Sequence, residues 1–351
     1  MSETGAAWWE GNKLIDVNAL TAQRIASFGL DVNNAADRTL LTSQLGSALA
    51  AQRGFNKPPY SGFPMTSTVA QSLRPFPQFS TIDYLWAPLG KTWYDSLQVK
   101  VTKRFSHGID VNSGFTWQKE QNMGSEGIVG VTEGAVVNDV YNRPINKYIS
   151  RMSRPVAFYL GMDYTTPKFA SFPRALSWLM RDWTYGLNLQ YATGFPILVP
   201  TAQNQLSAVL FRNTFANRVP GQPLFTVDTN CKSCYDPTTT FVLNPNAWAD
   251  PPAGQFGTSA AYYSDYRWKR TPSEDMSIGR IFRLKEKVQL QIRADFQNAF
   301  NRWRLGAPTS TNAKASQTRY ASGETQTGFG DINTRAATSP RAGVIIARIS
   351  F

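Results

Sequence analysis

Long runs of strict two-residue alternation, the lack of any long apolar run, and minimal turns alternating with very long connections predict an all-β fold. The expected architecture is an antiparallel transmembrane β-barrel portion, with about eight long strands, long extracellular loops and short periplasmic turns. The 351 residues are 42% hydrophobic, 13% aromatic and 17% charged, a balance that excludes a disordered chain. Mean hydropathy is −0.32, and no stretch approaches the ~18 apolar residues of a spanning helix. Strands that alternate between lipid and water average to this mild polarity.

Taken in order, the clearest pair is 93–119. Leu97, Val99, Val101 and Phe105 share one face, with Gln98, Lys100, Thr102 and Arg104 on the other. Ser106-His107-Gly108 then reads as a tight hairpin turn, because His-Gly supplies backbone positions of positive φ. The alternation resumes through Ile109, Val111, Phe115 and Trp117. Val156–Thr165 and Trp183–Ala192 repeat it. Met276–Phe282 repeats it less cleanly, and Val288–Gln297 follows the short turn Leu284–Lys287. Val344–Phe351 closes the set. A further strand at Ala6–Leu14 brings the count to eight and places the C-terminus on the periplasmic side.

The segments 15–92, 120–151, 197–271 and 302–340 are rich in Pro, Gly, Asn, Thr and Ser. They are too long for ordinary loops, which run about 4–6 residues. Within the first, Leu41, Leu45 and Leu49 recur at helical spacing, so a short helix is expected over 36–51. Trp93, Tyr94, Trp117, Trp183, Tyr191, Phe300 and Trp303 lie near strand ends, as interfacial girdles do. A soluble β-sandwich binding module also alternates and stays open as a reading. So does a self-contained eight-stranded barrel with a structural or adhesive role.

Several segments, in order, resemble the Oar-like TonB-dependent outer-membrane receptors. Val69–Phe79 is similar to the stretch that leads into the strand-and-turn segment Tyr94–Gly108. Arg181-Asp182-Trp183 with Tyr191–Pro196, Asn244–Trp248 with Gly254–Gly257, Arg283–Asn301, Phe329–Ile332 and the terminal Phe351 follow in the family's order. The resemblance implies a plugged barrel of roughly 22 strands, of which residues 1–351 would form the C-terminal part. As written, the sequence has no signal peptide, regulatory-like domain, plug or TonB box. The resemblance implies no enzyme activity and no cofactor. It implies uptake of an unknown small-molecule or glycan ligand when the TonB system acts through the missing plug, at the cell outer membrane.

Candidate sites are few. Ile345, Ala347, Ile349 and Phe351 share one face of the last strand. An apolar edge ending in an aromatic suits recognition by the barrel-assembly machinery through strand pairing. Cys231 and Cys234 form a C-x₂-C without the helix context of a redox motif or the further ligands of a zinc site. A small disulfide in an external loop is expected. The only histidine, His107, falls in a turn, which removes a Ser-His-Asp triad. Glu274 and Asp275 are adjacent on a strand and point to opposite faces. The net charge of +12 suggests anionic partners, meaning outer-membrane lipid and lipopolysaccharide. Tyr262, Tyr263, Tyr266 and Trp268 beside Arg267, Lys269 and Arg270 are expected on a loop or rim near such groups. They are not read as a nucleic-acid platform.

Overall fold

The computed structural model describes residues 9–10, 13–14, 18–79, 82, 91–123, 138–139, 142–231, 234–284, 288–302, 305–319, 326–332 and 340–351. Seven long strands form one antiparallel sheet: β1 (Lys91–Ser106), β2 (Ile109–Met123), β3 (Val156–Thr165), β4 (Trp183–Ala192), β5 (Thr271–Arg283), β6 (Gln289–Gln297) and β7 (Ala342–Ser350). Their spatial order is their chain order, with β1 and β7 at the two edges. A three-residue strand, Lys147–Ile149, extends the pairing at the far end of β2.

The first hairpin turns at His107 and Gly108, with φ of 55° and 82°. Two successive positive φ values match the right-handed twist of the flanking strands. A Cβ on Gly108 would also lie 2.2 Å from the Thr165 carbonyl oxygen, so the next connection packs directly on this turn. The connection after β5 is also short, running 284–288; its residues 285–287 lie outside the described set, as does Trp303.

Register carries the alternation across the whole sheet. Ile109 pairs with Tyr164, Tyr164 with Tyr185, Tyr185 with Ile278, Ile278 with Ala294 and Ala294 with Ile345. These residues share one apolar face. The next row holds Asp110, Asp163, Gly186, Ser277 and Asp295 on the other face. The apolar face is open: Leu97 is 55% exposed, Trp117 60% and Ile345 80%. A soluble sandwich buries such a face under a second sheet. No second sheet covers it among the described residues, so lipid is the environment that satisfies it.

The buried cores lie at the long-loop end. The N-terminal helices α1 (Ala22–Ser27), α2 (Ala35–Thr42), α3 (Ala48–Gln52) and α4 (Val69–Ser72) pack with a later helix, α6 (Leu206–Leu210). Leu40, Leu41, Leu45, Val69, Leu206 and Val209 are fully or almost fully buried there. A second core gathers Tyr148, Val199, Leu243, Trp248, Tyr266 and Phe329 from three long connections. Helix α5 (Arg174–Met180) sits instead in the connection between β3 and β4, at the short-turn end.

Three expectations are corrected. The strand expected over Ala6–Leu14 is a separate pair of two-residue strands, Trp9–Glu10 and Lys13–Leu14, outside the large sheet; residues 6–8, 11 and 12 lie outside the described set. The helix expected over 36–51 is two helices. Ser43 closes α2 in an extended conformation, the Leu45 N–H donates to the Ser67 carbonyl at 2.8 Å, and the Ser47 hydroxyl caps α3. Leu41, Leu45 and Leu49 thus face one core region from two helices and a turn. Finally, 197–271 is not mere loop, because its apolar residues build both cores.

Candidate functional site

The long connections converge on the start of β5. Thr193–Pro196, just after β4, runs against Tyr266–Lys269. The Ile197 N–H donates to the Tyr266 carbonyl at 2.8 Å, and the Trp268 N–H donates to the Phe195 carbonyl at 2.9 Å. Gly194 permits this approach, since a Cβ there would fall 1.8 Å from the Trp268 carbonyl oxygen. The Thr-Gly-Phe-Pro sequence therefore has a packing reason, independent of any resemblance.

This pairing shapes a cavity of about 470 Å³ lined by Phe195, Tyr235, Trp268, Lys269, Arg270 and Arg302, among others. Lys269 Nζ lies 4.6 Å from the centroid of the Tyr235 ring and 5.7 Å from that of Trp268. Burial lowers the Lys269 pKa below the ordinary lysine value, and Asp228 partly opposes the shift. Burial also pushes the Tyr235 phenol up to about 12, and its hydroxyl has no partner among the described residues. Aromatic faces with adjacent cations suit a ligand with flat apolar surfaces and anionic groups.

Beside the cavity lies Glu274, 1% exposed. Its carboxylate accepts from the Arg302 Nε at 2.6 Å and from the Tyr191 hydroxyl at 2.8 Å. Asp275 is on the opposite face, where its carboxylate accepts from the Asn298 N–H. The two carboxylates are therefore separated, as the strand parity requires. The partners of Glu274 escaped the sequence reading because Arg302 comes from the far side of β6. Its 28-residue separation has no local signal.

The aromatic cluster expected on the rim is mostly interior. Tyr266 is fully buried, with its ring 5.2 Å from Trp248 and 5.7 Å from Phe225, and Tyr262 packs on Tyr148. Arg267 donates to the carbonyls of Ser264, Ser153 and Gly194. These groups hold the loops together, because the chain needs a core there once the sheet itself has none. Lys269 and Arg270 alone of the cluster's cations line the cavity described.

Cys231 and Cys234 are joined by a disulfide within the same long connection. Ile345, Ala347 and Ile349 lie on the apolar face of the edge strand β7, and Phe351 beyond it is 97% exposed. His107 sits at the opposite end from the cavity, its Nδ1 2.8 Å from the Ser106 hydroxyl. Among the described residues, no cluster of His, Cys, Asp or Glu forms a metal site.

No curated protein matches the chain. The family model for an outer membrane beta barrel domain matches residues 41–343, which takes in β1 to β6 and reaches the first residues of β7. With an antiparallel sheet, an uncovered apolar face, a polar face opposite and loops massed at one end, the chain belongs to the outer membrane beta barrel domain family.

Proposed function

We propose that this chain is the C-terminal portion of the barrel of an Oar-like TonB-dependent receptor, whose parent protein takes up a small molecule or glycan across the outer membrane. The observation that carries the reading is strand direction. β1 and β7 both run from the long-loop end to the short-turn end. Closing seven strands on themselves would place these two side by side in parallel. Bacterial outer-membrane barrels close antiparallel with an even number of strands. An open edge in lipid costs several kcal/mol for each unsatisfied backbone group. A wider barrel removes both edges, and the polar face then lines a lumen of plugged-transporter width.

In this reading the cavity near Lys269 and Tyr235 is part of the external ligand-gathering surface, close to lipopolysaccharide. Ile345, Ala347, Ile349 and Phe351 are the handle read by the barrel-assembly machinery, and TonB acts through a plug carried elsewhere in the parent. The Cys231–Cys234 bridge braces an external loop. No catalytic step is involved.

Disulfide trapping in the full-length protein, in outer membranes, tests the barrel. Cysteines replacing Val101 on β1 and Ile345 on β7 are expected not to join. An efficient bond between them would overturn the wider barrel. Co-purification of the periplasmic part of TonB with the full-length protein tests the transport reading separately; its absence would leave a barrel without TonB-driven uptake.

A further inference from the structure

Helix α5 has no buried residue. Trp178 and Leu179 are more than half exposed, and Phe172, Leu176 and Met180 are also exposed. A seven-residue helix with this composition is not stable alone in water, yet it is tethered. The Trp183 indole N–H donates to the Leu179 carbonyl at 2.8 Å, the Thr166 hydroxyl to the Met180 carbonyl at 2.9 Å, and the Ser177 hydroxyl to the Lys168 carbonyl at 2.7 Å.

The fourth tether is Arg280. By register it lies between Trp183 and Ile292 on the apolar face of the sheet, three residues from the short-turn end of β5. An arginine there is costly unless its charge reaches the interface. Arg280 donates to the Trp178 carbonyl, and its guanidinium lies 4.5 Å from the Trp178 ring centroid, 5.0 Å from that of Phe282 and 5.5 Å from that of Trp183. The side chain is 9% exposed, its Nε is unsatisfied, and no carboxylate pairs with it among the described residues. The same end of the sheet carries Lys168, Arg174, Arg181 and Arg283. The one acidic group of these two segments, Asp182, is already held by Arg283 at 3.2 Å and Arg181 at 3.6 Å.

We propose that α5 and the short-turn end of β5 form a binding site for anionic glycerophospholipid in the periplasmic leaflet of the outer membrane. The apolar side chains of α5 continue the lipid face of the barrel, and short turns mark the periplasmic end of such barrels. The helix lies in the interface as amphipathic anchors do. Arg280, on the lipid face and flanked by two indole rings, takes the headgroup phosphate.

The test uses the full-length protein in nanodiscs of phosphatidylcholine with or without phosphatidylglycerol, with retained lipid counted by native mass spectrometry. The wild type is expected to retain phosphatidylglycerol preferentially. Arg280→Gln is expected to weaken that retention about fivefold, whereas Arg283→Gln on the opposite face of β5 and Lys57→Gln at the opposite end leave it unchanged. Should Arg280→Gln fail to fold, Trp178→Ala carries the comparison, since its side chain is more than half exposed. Equal retention of the two lipids by the wild type would overturn the proposal. A photo-crosslinker at Leu179 in native membranes is expected to yield lipid adducts; adducts to a protein or to a second copy would overturn it as well.

Discussion

Adjacent residues of β7 offer a matched pair for the face assignment. Ile345 belongs to the row Ile278–Ala294–Ile345, which crosses the sheet one residue from the centre of β5, and it is 80% exposed. Ile346 pairs with Arg293 on the opposite face, where Arg348 and the Arg293–Asp295 ion pair at 2.8 Å already reside. Arginine at the bilayer midplane on the lipid face of a barrel costs about 2–4 kcal/mol. Arginine facing a watery lumen costs about 0.5 kcal/mol or less, as at ordinary surface sites. Ile345→Arg should therefore reduce the folded, heat-modifiable form of the full-length protein in outer membranes, and lower its urea midpoint in vesicles by the equivalent of about 2–4 kcal/mol. Ile346→Arg should leave both near wild type. Both substitutions lie on the same strand, one residue apart, and because Ile345 also belongs to the assembly handle, the urea midpoint of protein refolded in vesicles decides the comparison. Equal loss for the two variants, or greater loss for Ile346→Arg, would refute the assignment of lipid and lumen faces.

Other perturbations follow from the same geometry. Arg302→Ala strands the buried Glu274 carboxylate and should cost about 2–3 kcal/mol by denaturant unfolding, the low end for a broken buried pair because Arg302 is itself 42% exposed; Glu274→Gln in that background should recover part of the loss. Asp37 is held below its ordinary pKa of 3.8 by the Asp31 N–H and by Arg53 at 2.8 Å. Its contribution is present above that pH and fades as pH falls through the lowered folded value. Amide protection of α2 should drop in that acid range, with a weaker dependence in Asp37→Asn. Removing the Cys231–Cys234 bridge opens only a short loop, for which chain entropy allows at most about 2 kcal/mol; Cys231→Ser with Cys234→Ser should loosen that loop in proteolysis while the sheet stays folded. Gly108→Ala, at φ 82° and against the Thr165 carbonyl, should destabilise the first hairpin by more than about 1 kcal/mol, read as increased exchange of the Ser106 and Ile109 amides.

Much of the sheet was legible because its signal is local. Side-chain parity from Leu97 to Val101 and from Trp183 to Tyr191 survives intact in the register, which shifts only between Lys103 and Ser106, and His107-Gly108 folds as the turn that its residue types demand. The loops were not legible to the same degree. Tyr262 and Tyr266 read as rim residues from their neighbours in sequence. They are buried because Trp248, Phe225 and Tyr148, remote along the chain, close around them. The cavity shows the same limit. Lys269 and Arg270 stood out as a basic pair, but Phe195 and Tyr235 join them only through the close passage at Gly194.

Two-residue alternation, determined by the sequence alone, settled that one face of each strand is apolar and the other polar, and placed the minimal turns. Those properties depend on each residue and its immediate neighbours. Tertiary structure alone decided that the long strands among the described residues number seven and that both edges of their sheet run the same way. It also showed that residues 18–79 build a helical core against α6 and that, among the described residues before 80, none joins the large sheet. Pairing partners, and the companions of buried groups such as Glu274 and Arg280, depend on contacts between distant segments, and a hydropathy pattern carries no record of which segments meet.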